Sequence, residues 1–136
     1  MPTFRYDKLV RDKIAQWHVE SGHTPTYRHL EGEEHIKALC KKLHEESDEV
    51  DGALTTEELT EELADVQQII DDICAIKGIT KTELEQTQQK KRDRKGGFLD
   101  GVYIEQVYMP NVADKWVTYC RKEPTKYPEI KDAGDA

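Results

Sequence analysis

Apolar residues in the first two-thirds of the chain recur at three- and four-residue intervals, and the predicted elements follow from that spacing. Ile36, Leu39, Leu43 and Val50 fall within roughly 60° of one another at about 100° per residue, which marks the buried stripe of a helix over Glu33 to Asp51. Gly52, Thr55 and Thr56 supply a turn. A second stripe of Leu59, Leu63, Val66, Ile70 and Ile73 then predicts a helix from Thr56 to Lys77, with Gly78 as its stop. So short a connector makes the two helices antiparallel.

Weaker patterns flank this pair. Asp7 is placed to cap a helix over Lys8 to Glu20 that buries Val10, Ile14 and Trp17 and ends before Gly22, and the Pro25-containing connector from His23 to Gly32 reads as a loop. Thr80-Lys81-Thr82-Glu83 has the form of a capping box and opens a fourth helix to about Arg94, whose only strong apolar member is Leu84. After Gly96-Gly97 the pattern changes: residues 102–109 and 115–120 are β-branched and aromatic, with Pro110-Asn111 between them, and predict a small β hairpin or an extended appendage. Beyond Lys122 the chain is polar and a mobile tail is expected. The expected architecture is all-α, an antiparallel bundle of about four helices over residues 1–100, with a C-terminal extension over residues 101–136.

The two central helices each carry acids three residues apart. Glu46 lands inside the first apolar stripe and Glu49 on its shoulder; Glu62 falls within the second stripe and Asp65 on its flank, beside Ile69. A lone Glu-x-x-Glu in an acidic chain usually belongs to a solvated face. Two pairs phased into apolar stripes on either side of one turn do not fit that description, because an unpaired buried carboxylate costs several kcal/mol. With no Lys or Arg expected to face them within these helices, and oxygen donors without His or Cys, the four acids suit a hard divalent cation, Mg2+ or Mn2+. Asp72, seven residues past Asp65, reads as a solvated acid.

Composition narrows the partners. The chain has 28 acidic and 20 basic residues, a net charge of -8 that argues against nucleic acid or a membrane surface as partner. A phosphorylated small molecule stays open to it, provided metal ions bridge phosphate to carboxylate. A mean hydropathy of -0.84 implies a lean core, so a homo-oligomer, in the first place a dimer, is expected to complete it. Cys40, Cys74 and Cys120 show no metal-ligand spacing, and Cys74 lies within an apolar pattern as a small core residue. No apolar run approaches about 18 residues and the first residues are charged, so a cytoplasmic protein is expected. His18, His29, His35 and His44 show no zinc or nucleophile spacing and read as surface residues. Glu20 and His23 straddle Gly22, against a di-iron bundle site.

Four stretches together resemble a known superfamily: Lys8-Leu9-Val10-Arg11-Asp12-Lys13-Ile14; Lys42-Leu43 through Glu49; Glu61-Glu62-Leu63-Ala64-Asp65-Val66; and Lys90-Lys91-Arg92 leading to Gly96-Gly97-Phe98. In this order, over residues 6–99, they look like the all-α NTP pyrophosphatases (MazG and phosphoribosyl-ATP pyrophosphohydrolase-like proteins), in particular the single-domain group. The resemblance implies metal binding by Glu46, Glu49, Glu62 and Asp65. It also implies hydrolysis of a nucleoside triphosphate between the α and β phosphates, giving a nucleoside monophosphate and pyrophosphate, as in nucleotide-pool housekeeping. Ala15 stands where the family usually has Pro, and Lys95 where Arg is common, which keeps the charge but loses a bidentate fork.

On this reading Glu46 and Glu49 are the candidates for general base, and Trp17 and Tyr27 for base or sugar selectivity; Arg11 is a candidate for a phosphate contact or, equally, for pairing with the acid-rich helices, and Lys91 and Lys95 for phosphate contacts or for stabilising the C-terminus of their helix. The alternatives are a phosphoribosyl-ATP pyrophosphohydrolase and a non-catalytic helical oligomerisation module.

Overall fold

The computed structural model describes residues 1–130 and, among them, is helical without strands. Five helices follow in order: α1 (Ile14–Glu20), α2 (Gly32–Gly52), α3 (Thr56–Lys77), α4 (Lys81–Lys95) and α5 (Lys115–Lys122). The chain divides into two compact units, Met1–Lys95 and a second that begins at Gly96, where a backbone φ of 80° ends α4. Among the described residues no helix is long and apolar enough to cross a membrane.

The first unit is built on the α2–α3 hairpin. At about 1.5 Å per residue each of these helices is a little over 30 Å long, and the junctions between elements are fixed by caps. Thr55 Oγ1 accepts from the Glu58 N–H at 3.1 Å, while the Leu54 N–H donates to Glu58 Oε2 at 2.9 Å, so α3 starts sharply. It ends with Gly78 at φ 72°, where the Ile79 N–H donates to the Cys74 carbonyl at 2.8 Å, a left-handed closure that glycine adopts without a Cβ clash. Lys77 of α3 pairs with Glu33 of α2 at 3.1 Å, which sets the antiparallel register at that end.

Packing is thin. Leu39 of α2, 4% exposed, and Ile69 of α3, 6% exposed, are the buried hydrophobic residues among those described. Ile36, Leu43, Val50, Leu59, Val66, Ile70 and Ile73 are half-buried around them. The α3 stripe is thus rotated from the expected one: Ile69 lies at its centre, and Leu63 is 50% exposed. Adjacent isoleucines at 69 and 70 both fit a 3.6-residue period, and the face that α2 covers decides between them.

Extensive helix-to-helix packing among the described residues is confined to α2 against α3. Helix α4 is held by its own hydrogen bonds. Thr80 Oγ1 accepts from the Glu83 N–H at 3.1 Å, the Thr80 N–H donates to Glu83 Oε2 at 3.0 Å, and Gln89 donates to Asp93 at 2.8 Å. Leu84 alone on this helix is even half-buried.

Two elements differ from expectation. Helix α1 begins at Ile14, not Lys8, because Asp7 takes a left-handed φ of 43° and residues 8–11 run outside any helix. A single turn there has little apolar face to repay nucleation. In the second unit, residues 115–120 form the start of helix α5 and not a strand. Asn111 organises a turn through the Ala113 and Asp114 N–H groups, and Asp114 accepts from the Trp116 N–H at 2.9 Å, a helix cap that outweighs the β propensity of the run. Residues 102–109 carry no strand pairing, so the β hairpin is absent among the described residues. Past α5 the chain is tied back by Tyr127 against Tyr119, 5.8 Å between ring centres, and by Arg121 to Glu129 at 2.6 Å. The remainder of the expected mobile tail, residues 131–136, lies outside the described residues.

Candidate metal centre

The antiparallel register that pairs Glu33 with Lys77 also brings the middle of α2 against the first half of α3. Glu46, Glu62 and Asp65 each place a carboxylate oxygen within 4.8 Å of the others. Glu46 is 8% exposed, whereas Glu62 and Asp65 are half-buried at the rim. Three of the four acids expected to converge do so; Glu49 is exposed and outside the group, near enough to act on Glu62 through its charge.

Three negative groups this close repel, and the protein offsets the repulsion in three ways. The first is a hydrogen bond between Glu62 and Glu46. A hydrogen bond with Glu46 is the main cause that pushes the Glu62 carboxyl above the ordinary glutamate range; burial adds to it, followed by the charges of Glu46, Glu49 and Asp65. The second is Lys42, one turn before Glu46 on α2, whose Nζ stands 3.6 Å from Glu46 and 3.8 Å from Glu45. This corrects the expectation that no cation within the helices faces the acids; the i,i+4 spacing of Lys42 and Glu46 was its visible signal. The third is Arg11, whose Nη2 donates to Asp65 Oδ1 at 2.5 Å across 54 residues of sequence. No buried polar side-chain atom among the described residues lacks a partner.

Three oxygen donors on two helices, without nitrogen or sulfur, suit a hard divalent cation. With bonds of about 2.1 Å in octahedral geometry, neighbouring ligand oxygens stand about 3 Å apart, so binding would draw the triad, now within 4.8 Å, closer together. Such an ion would take over the work now done by the Arg11 guanidinium.

The other predicted residues are placed elsewhere. Lys91 and Lys95 are exposed on α4 and form no ion pair with the acids among the described residues. Asp72 is exposed and accepts from Gln68 at 3.1 Å, a solvated acid as expected. Tyr27 is exposed beside His29. Trp17 lines a 210 Å³ recess with Ile14, His18, Ser21 and His23. There His18 and His23 meet Nδ1 to Nδ1 at 2.8 Å, and His18 is half-buried with Tyr6 against its ring, a pairing that the surface reading of His18 missed. The three cysteines are free, with Cys74 half-buried. Comparison with protein-family models, with curated proteins and with solved structures finds no match for this chain.

Proposed function

We propose that the chain is a metal-dependent nucleoside triphosphate pyrophosphohydrolase, cleaving between the α and β phosphates to give a nucleoside monophosphate and pyrophosphate. The observation that carries the reading is the convergence of Glu46, Glu62 and Asp65 from two antiparallel helices, joined by the resemblance of residues 6–99 to the all-α NTP pyrophosphatases. Glu46, Glu62 and Asp65 would hold Mg2+ or Mn2+. Bound there, the ion would polarise phosphoryl oxygens and lower the pKa of a water.

The chain's own groups supply the rest. Glu49, exposed and outside the triad yet near enough to act on Glu62 through its charge, would accept the proton of the water that attacks the α phosphorus, while Glu46 would serve as ligand. The α–β bridging oxygen leaves with pyrophosphate. Arg11 at the rim provides a forked donor for phosphate oxygens.

Pyrophosphate release measured over a panel of standard, deaminated and oxidised triphosphates and phosphoribosyl-ATP tests the reading and separates the two substrate classes. Release that needs Mg2+ and falls at least about 100-fold in Glu46→Gln and Asp65→Asn is expected. Turnover that is unchanged with chelator, or absent on every nucleotide, contradicts it.

A second reading, a helical oligomerisation module without catalysis, is favoured by the exposed Leu63, Ile76 and Ile79 around a hairpin with two buried hydrophobic residues. The same exposure supports a dimer in the enzyme, two hairpins completing one four-helix core. Analytical ultracentrifugation checks it: a dimer that dissociates in Leu63→Glu is expected, and a wild-type monomer at micromolar concentration contradicts it.

A further inference from the structure

We propose that Arg11 is a removable placeholder for the metal: it holds Asp65 when the acids carry no ion, is displaced when a divalent cation binds, and is then handed to the phosphate of the incoming ligand. The inference rests on the reading of Glu46, Glu62 and Asp65 as a metal centre.

Four observations lead to it. Glu46 and Asp65 already face cations, Lys42 at 3.6 Å and Arg11 at 2.5 Å, so a doubly charged ion bonded to both acids would crowd one of these groups. Lys42 cannot easily leave, since it is one turn from Glu46 on the same helix and its side chain is largely covered. Arg11 can. It sits in the non-helical stretch before α1, its side chain is 57% exposed, and its contact with Asp65 joins residues 54 apart. A cation bonded to Asp65 at about 2.1 Å would stand within a few ångströms of the guanidinium, two positive groups on one carboxylate. Displaced from Asp65, the guanidinium remains at the rim of the loaded site, where a phosphate bound to the same cation would meet its planar fork.

Because binding effects are reciprocal, metal and Arg11 weaken each other while metal and phosphate recruit it together. Removing the guanidinium therefore has opposite effects on the two ligands. A merely structural arginine would, on removal, weaken both.

The test is Mn2+ binding to metal-free protein, followed by electron paramagnetic resonance of free Mn2+. Arg11→Met is expected to tighten Mn2+ about tenfold and to weaken an α,β-methylene nucleoside triphosphate on the Mn2+-loaded protein by about tenfold or more. Arg11→Lys keeps the charge and is expected to restore wild-type Mn2+ affinity while recovering only part of the analogue affinity. Mn2+ affinity that is unchanged or lower in Arg11→Met overturns the placeholder and leaves the metal centre standing. Absence of Mn2+ binding by wild-type protein overturns both. A readout on the unmodified chain covers the case in which the variant does not fold. In 15N-arginine-labelled wild-type protein the Arg11 Nη2–H should exchange faster with solvent on adding Mg2+ and regain protection on adding the analogue; protection that persists with Mg2+ alone contradicts the proposal.

Discussion

The α2–α3 hairpin and helix α4 belong to the same compact unit and are stabilised in opposite ways. The hairpin places its few buried groups between two helices and includes a carboxylate, Glu46, among them. Helix α4 buries nothing and rests on its capping box and on i,i+4 bonds within itself. A carboxylate kept in a lean core works against stability unless another role retains it, whereas charges on a solvated helix need no such role. The difference points to the hairpin as the part of the unit that carries function.

The largest expected effect breaks the comparison at its strongest point. Leu39→Ala or Ile69→Ala should cost about 2–5 kcal/mol in urea denaturation, with Leu84→Ala on α4 under about 1 kcal/mol. Equal losses at the two sites would mean that α4 is packed as tightly as the hairpin. Next in size, Thr80→Ala should remove about 1 kcal/mol through its N-cap, with reduced helicity by circular dichroism and Mg2+ affinity unchanged.

A smaller effect concerns pH. Folded Glu62 holds its proton more tightly than unfolded Glu62, so the stability it contributes is full below the ordinary glutamate value of about 4.3 and is lost as pH rises through the raised one. Metal-free protein should therefore melt at a lower temperature as pH rises over that window. Glu62→Gln should remove this slope, and saturating Mg2+ should reverse it by taking the proton's place. A slope that is the same in wild type and Glu62→Gln assigns it to other groups. The least effect, a few tenths of a kcal/mol, is expected for Gln89→Ala, which removes the exposed bond to Asp93 on α4; hydrogen exchange local to that helix should detect it.

How far the sequence reaches differs along the chain for physical reasons. The span of α3, Thr56–Lys77, is legible because both ends carry side-chain or glycine caps and the interior is long and periodic. The Thr80–Glu83 box likewise predicts the start of α4. The convergence of Glu46, Glu62 and Asp65 follows from phasing plus an antiparallel turn. Glu49 does not join them because three residues past Glu46 it has rotated toward solvent, and a sequence offers no measure of how far the partner helix wraps around. That Arg11 pairs with the acid-rich helices is readable from charge, whereas the choice of Asp65 as its partner is a tertiary contact that no local pattern encodes. The stretch 115–120 shows the remaining limit: a run in which four of six residues are β-branched or aromatic suits either a strand or a short helix, and the cap from Asp114, which lies outside the run, selects the helix.

The central claim is that acids from two antiparallel helices share one divalent cation. Anomalous scattering from a crystal grown with Mn2+ addresses it directly. A peak bonded at about 2.1–2.3 Å to oxygens of Glu46, Glu62 and Asp65, lost in Glu62→Gln, is the predicted result. A map in which Mn2+ is bound only elsewhere, or in which Glu46 and Glu62 stay hydrogen-bonded to each other with no metal between them at saturating Mn2+, would contradict it.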